Sequence, residues 1–361
     1  MKKVIPILRI ISFILILILL IYTLSYIGKP FNWDNVRIAG MYAEKNNSLD
    51  IVYIGGSAAF VYYAPIQSWE KKGFVAYDYA ANTIEAELYK PLIKEMLKTQ
   101  SPKVIIIDAR AFQYRDKDGI DAQPPWEVPY RNILTGMRLS KNKIEFITHN
   151  VGKYISDKKL SYFFDIIKYH DLIIKNMEEK IPSLRMMLGQ YKSPHNGFQF
   201  IHSVKEIPRY SFMTDKKKQV SSDTESILID LLDYLDSAKL NCLFVVSPYA
   251  EKMEHKAIFN YVQEIIENRG YRFLDANEYT DDMNLDFSCD FYNETHVNIY
   301  GAEKYTDFLN DYLERNYAIP NHKNEPEYSY MDEYLPAWHS DVNAAKSAIS
   351  QMRRERGKNE K

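Results

Sequence analysis

The sequence predicts an α/β protein built on a parallel sheet and carried on one N-terminal membrane-spanning helix. Three observations predict it. After Pro30, short β-rich runs alternate with helix-patterned segments, the order that a parallel sheet with crossover helices leaves in a chain. Lys103 to Ile107 is a continuous apolar run, as a strand covered on both faces requires. Ile10 to Ile27 carries no charge over a length that matches the hydrocarbon core of a bilayer.

The elements follow in order. Lys2, Lys3 and Arg9 precede the apolar run, so residues 1–9 are expected in the cytoplasm, 10–28 in the bilayer and the rest outside. The run is longer than a signal-peptide core and no A-x-A site follows it, which argues for an uncleaved anchor contacting lipid from Ile10 to Ile27. Residues 30–320 form the expected soluble domain. Leu49 to Ile54 reads as its first strand, ending in Gly55-Gly56-Ser57, and Phe74 to Tyr77 as its second. Glu85 to Leu97 has helical spacing, and Lys103 to Ile107 is the third strand.

From 116 to 218 the pattern changes. Pro124, Pro125 and Pro129 break the chain, and segments such as Leu160 to Met177 have helical periodicity, so a helical insertion or lid is expected. Asp223 to Ser237 then reads as a helix, Cys242 to Val246 as a strand, His255 to Asn268 as a helix closed by Gly270, and Tyr271 to Leu274 as a last strand. Residues 321–361 are polar; Asp341 to Met352 has helix-forming character, which leaves a peripheral helix or a disordered extension.

Composition excludes several classes. The formal charge of the 361-residue chain is −2 with both signs interspersed, so nothing points to a nucleic-acid partner. Cys242 and Cys289 are too few and too far apart for a metal site or a disulfide scaffold, and Cys242 reads as a buried strand residue. No cofactor or metal is expected.

The chemistry concentrates at two places. A strand followed at once by Gly55-Gly56-Ser57 exposes a hydroxyl at the carboxyl edge of the sheet, with backbone N–H groups, Ser57's own among them, free to face a developing oxyanion. Far downstream, Asp290-Phe291-Tyr292-Asn293-Glu294-Thr295-His296 follows the last strand, and a histidine on such a loop can reach over the sheet edge as a base for that serine. Asp108 and Arg110 follow the third strand at the same edge, either as a structural ion pair or as a substrate contact.

The blocks IVYIGGSAAF and FYNETHVNIYGAEKYTDFL resemble the first and last motifs of SGNH (GDSL-like) hydrolases. The nearer likeness is to the membrane-anchored branch that includes the teichoic acid D-alanyl transfer protein and exopolysaccharide O-acetyltransfer proteins. It spans about Asp50 to Leu313, outside the insertion. The resemblance implies a flavodoxin-like three-layer sandwich with Ser57 as nucleophile, His296 as base and an acid three residues before it. That position is Asn293, where the family usually has aspartate; Asp290 or Glu294 are the alternative acids. Gly56, Asn82 and Arg110 are the corresponding candidates for oxyanion or substrate contacts. The implied activity is that of an esterase or O-acyltransferase on an acylated envelope polymer or glycan, with a multi-span membrane acyltransferase as a further partner. A non-catalytic envelope assembly or binding factor is the alternative, since an amide cannot stabilise an imidazolium by charge.

Overall fold

The computed structural model describes residues 4–117, 127–151, 159–175 and 177–359; the expectations for Lys2, Lys3, Pro124 and Pro125 lie outside them. In chain order, helices α1 (Val4–Ile27) and α2 (Trp33–Gly40) precede strand β1 (Ile51–Gly55). Helices α3 (Ser57–Phe60) and α4 (Pro65–Lys72) lead to β2 (Ala76–Ala80), and α5 (Tyr89–Met96) leads to β3 (Val104–Asp108). Then come α6 (Arg110–Lys117), α7 (Glu127–Gly136), α8 (Lys141–His149), α9 (Lys159–Phe163), α10 (Ile166–Tyr169) and α11 (Lys180–Met187). Helix α12 (Ser222–Ala238) enters β4 (Cys242–Val246), and α13 (Met253–Glu267) enters β5 (Arg272–Asp275). A hairpin of β6 (Phe291–Asn293) and β7 (His296–Val297) precedes α14 (Ile299–Asn316) and α15 (Leu335–Asn359).

The five strands β1 to β5 form one sheet in the order β2-β1-β3-β4-β5, and every pair is parallel. The chain leaves β1 toward β2 on one side and returns to β3 on the other, so the topological switch point falls between β1 and β3, where the carboxyl ends open a crevice. Helices α4, α14 and α15 pack together on one face; α5, α6, α12 and α13 pack together on the other. The strands are almost wholly buried, which accounts for their continuous apolar runs.

Strand β2 runs three residues beyond the expected Phe74 to Tyr77. Asp78 interrupts its apolar pattern, yet this carboxyl is fully buried, and burial holds its pKa well above the usual range despite the attraction of Arg37. Burial thus favours its neutral form inside the strand, and a charge-based reading ends the strand too early.

Helix α1 begins before the expected Ile10 and takes in Arg9, and Ile5–Ile27 is long and apolar enough to cross a membrane. Residues 5–20 are exposed along its length, whereas Ser25 and Tyr26 are buried against the domain. The insertion is helical only in its first part. Helix α7 packs on α2, α8 on α5, and α10 and α11 on the end of α1. Residues 198–221 form no helix; Pro208 and the lack of a helical apolar stripe explain why. This strap crosses the domain through Gln199 N–H to Phe60 O (2.8 Å), Lys205 N–H to Phe291 O (2.8 Å) and Lys218 N–H to Ala257 O (2.8 Å).

The C-terminal segment is neither disordered nor loosely attached. Trp338, Val342, Ala345 and Ile349 recur at helical spacing on α15 and are all buried. Trp338 packs on the rings of Phe198, Phe200 and His195, while His195 Nε2 lies 2.8 Å from Asp341 Oδ2. The extension thus ties the strap to the sheet's α4/α14 face.

Candidate active site

At the carboxyl end of β1 the backbone runs close against β3, because a Cβ on Gly55 would stand 2.6 Å from Asp108 Cβ. Only glycine allows that approach. Gly56 is extended and starts the single turn of α3, whose first residue is Ser57. The Gly56 N–H points to Asp108 Oδ2 at 3.4 Å, and Arg110 N–H donates to Asp108 Oδ1 at 3.0 Å. The Asp108 carboxylate therefore braces the two strand ends that flank the crevice, and burial raises its pKa against the pull of Arg110.

The hairpin β6–β7 stands opposite. Its two-residue turn, Glu294-Thr295, places Asn293 directly across from His296. Ser57 Oγ lies 2.5 Å from His296 Nε2. On the other side of the ring, His296 Nδ1 is 3.0 Å from Asn293 Oδ1 and 2.9 Å from Thr295 Oγ1. Asn293 Oδ1 also accepts from Thr295 N–H at 2.9 Å and Thr295 Oγ1–H at 3.0 Å. With its oxygen turned to these donors, the amide assigns the proton to Nδ1 and leaves Nε2 to accept from the serine. Tyr292 stacks on the imidazole, with ring centroids 5.4 Å apart.

Three elements hold the hairpin in place. Arg110, almost fully buried, donates from Nη1 to Thr295 O (3.1 Å) and lies over the Tyr249 ring. Tyr62 Oη meets the same carbonyl at 2.9 Å. Ala250 N–H donates to Glu294 O at 2.8 Å. Arg110 thus helps to position the hairpin that carries His296, a role outside the ion pair or substrate contact expected of it; the contribution of Thr295 had no signal of its own in the sequence, since it depends on the turn. Beside this loop, burial first and Asp275 second push the Glu251 carboxyl up to about 9, so it is a neutral acid at physiological pH.

The other candidates fall elsewhere. Asp290 Oδ2 accepts from Asp286 N–H and from Lys304 Nζ, each at 2.7 Å, which commits that carboxylate to the loop before the hairpin and to α14 after it. Glu294 is exposed at the turn. Neither stands in the place of Asn293 at Nδ1. The amide and backbone N–H groups of Asn82 go to the Asp34 carboxylate on α2 at 3.0 to 3.2 Å, which turns that side chain toward the anchor-proximal helix. A cleft of about 500 Å³ between α5, α8 and α12, lined by Lys90, Lys94, Glu145 and Asp230, contains neither Ser57 nor His296.

The electrostatics of His296 are unusual for a base. Burial first, and Arg110 second, bring its pKa from 6.5 to about 3. A neutral imidazole is thereby secured, but the imidazolium that proton abstraction creates is disfavoured. The folded-state value is depressed, so this group stabilises the fold fully above pH 6.5, and that contribution is lost as pH falls from 6.5 toward 3. We expect the His296 ring protons to titrate by NMR only in the acidic range, and His296→Gln to flatten the dependence of stability on pH across that window.

The chain matches no protein-family model, and a search of curated proteins finds no match either.

Proposed function

We propose that the protein is a membrane-anchored serine esterase or O-acyltransferase of SGNH type, acting outside the cytoplasm on an acylated envelope polymer or glycan. The 2.5 Å contact between Ser57 Oγ and His296 Nε2 carries this reading. It joins residues 239 positions apart at the crevice where ligands of open α/β sheets bind. The strand order and the placement of serine after β1 and histidine after β5 support the SGNH likeness.

In this mechanism His296 Nε2 takes the Ser57 proton as Oγ attacks an ester carbonyl. The carbonyl oxygen becomes an oxyanion facing the first backbone N–H groups of α3. His296 then returns the proton to the leaving alkoxide, and the acyl group rests on Ser57. Water or a sugar hydroxyl, deprotonated by the same imidazole, takes the acyl group off and restores the serine. Lys2, Lys3 and Arg9 before the apolar segment favour a cytoplasmic N-terminus, which puts the domain on the substrate's side.

One observation favours a second reading, a non-catalytic envelope assembly or binding factor: no carboxylate stands on His296 Nδ1 among the described residues. A fluorophosphonate probe separates the two. On the full chain in membranes it should label wild type and leave Ser57→Ala unlabelled. Folded wild-type protein that takes no label would move the conclusion to the binding factor.

A further inference from the structure

We propose that the insertion is a membrane-docking collar: residues 166–175 and 177–188, packed on the emerging end of α1, seat their exposed isoleucines and leucines in the lipid interface and hold the domain at a fixed height and tilt. This rests on reading α1 as a membrane span. The occupant of the apolar surface is the bilayer itself.

The first argument is continuity. Helices α10 and α11 pack directly on α1, and a Cβ on Gly28 would stand 3.0 Å from Ile173 Cγ1. Lys180 Nζ donates to Ile27 O at 3.2 Å, and Lys29 pairs with Asp165 at 3.4 Å. Tyr26 of the anchor, Val36 and Ala39 of α2 and Met186 of α11 share one buried apolar cluster, separate from the main core. The anchor is therefore built into the domain and does not act as a loose tether. Any apolar surface on this collar stands where the chain leaves the bilayer.

The second argument is exposure. Ile174 and Ile181 are 82% and 71% exposed, and Ile167 and Leu188 of the same segments and Trp33 of α2 are exposed as well. A cluster of large apolar side chains around a membrane helix marks a lipid-facing surface.

The third argument is length. The exposed, uncharged part of α1, residues 10–20, spans only about 17 Å at 1.5 Å per residue, against roughly 30 Å of hydrocarbon. Residues 21–27 must make up the difference, and they are the ones enclosed by the collar, so the collar enters the interface with them.

Charge plays little part. Residues 165–188 carry Lys168, Lys175, Lys180 and Arg185 against Asp165, Asp171, Glu178 and Glu179. The seating depth should therefore not depend on anionic lipid.

The test uses the full chain in lipid nanodiscs with nitroxide labels at Ile174→Cys and Ile181→Cys, in a Cys289→Ser background; Cys242 is buried in β4. Both positions are exposed, so the labels leave the fold alone. The expected result is collision with oxygen severalfold above that with a water-soluble nickel complex, at a depth on the order of 5–10 Å, in zwitterionic and anionic lipid alike. A label at Ser237→Cys, at the amino edge of the sheet, should show the reverse ratio. Nickel access at 174 and 181 equal to that at 237, with a Leu15→Cys label at bilayer depth, overturns the collar and leaves the anchor intact. An aqueous Leu15→Cys label removes the anchor and the collar together. Dipolar broadening between labels on separate copies shows a second chain on the patch and also overturns the lipid assignment.

Discussion

Replacing Asn293 with aspartate should raise ester turnover by about one order of magnitude or more, and should raise the His296 pKa with it. The surroundings already suit a carboxylate. The Asn293 oxygen faces Thr295 N–H, Thr295 Oγ1–H and His296 Nδ1–H, all within 3.0 Å. A carboxylate that accepts two or three such bonds stays ionised to very low pH. Its charge would then offset the burial and the Arg110 field that bring His296 to about 3. Each unit of recovered pKa is worth about 1.4 kcal/mol in favour of the imidazolium, and losing the equivalent carboxylate in a serine protease costs about four orders of magnitude in turnover. Two measurements check this: kcat on an activated ester, and the NMR titration of His296. If the pKa rises and turnover does not, proton abstraction by His296 is not what limits the reaction, and the catalytic reading weakens accordingly.

The second large effect concerns packing. Gly301 lies in the first turn of α14, where a Cβ would stand 2.6 Å from Asp290 O and 2.7 Å from Val297 Cβ. Asp290 O also accepts from Asn298 N–H at 2.8 Å, which closes the hairpin's base. Alanine at a helical glycine ordinarily gains about 0.5–1 kcal/mol, but forcing a methyl into backbone costs about 1–3 kcal/mol. The cost wins. Gly301→Ala should lower Tm by several degrees and push β7 away from α14, moving His296 off Ser57 and reducing fluorophosphonate labelling well beyond the loss of folded protein. An unchanged Tm would show that the hairpin and α14 slide apart without resistance.

Much of this was legible in the chain. The strands β1, β3 and β4 announced themselves because burial on both faces leaves long apolar runs, while β5 is short and has Arg272 and Asp275 at its ends; Ser57 sits in a short motif directly after β1, and Asn293 and His296 in one well beyond β5. What escaped had physical causes. Asp78 hides the length of β2 because it is a carboxyl that the strand buries. The strap at 198–221 has no periodicity, since its backbone bonds go singly to carbonyls of α3, β6 and α13 and not to a continuous ladder. The helical stripe of Trp338, Val342, Ala345 and Ile349 could be read, but not the face it covers. Thr295 was invisible as a partner of the base because a two-residue turn, and not sequence spacing, brings its hydroxyl to the imidazole.

On the proposed reading, the wide separation of Ser57 and His296 along the chain sets a clock on activity. Helix α1 is made before β1, yet His296 comes 239 residues later than Ser57. At ordinary rates of synthesis this interval is about 10–50 s. During it the nascent chain can already be held at the bilayer while β5, the hairpin and α14 do not exist. Ser57 is then an unassisted alcohol. The Ser57–His296 pair can form only when the last third of the chain has arrived and closed over the sheet, so on the proposed reading membrane placement would precede chemistry.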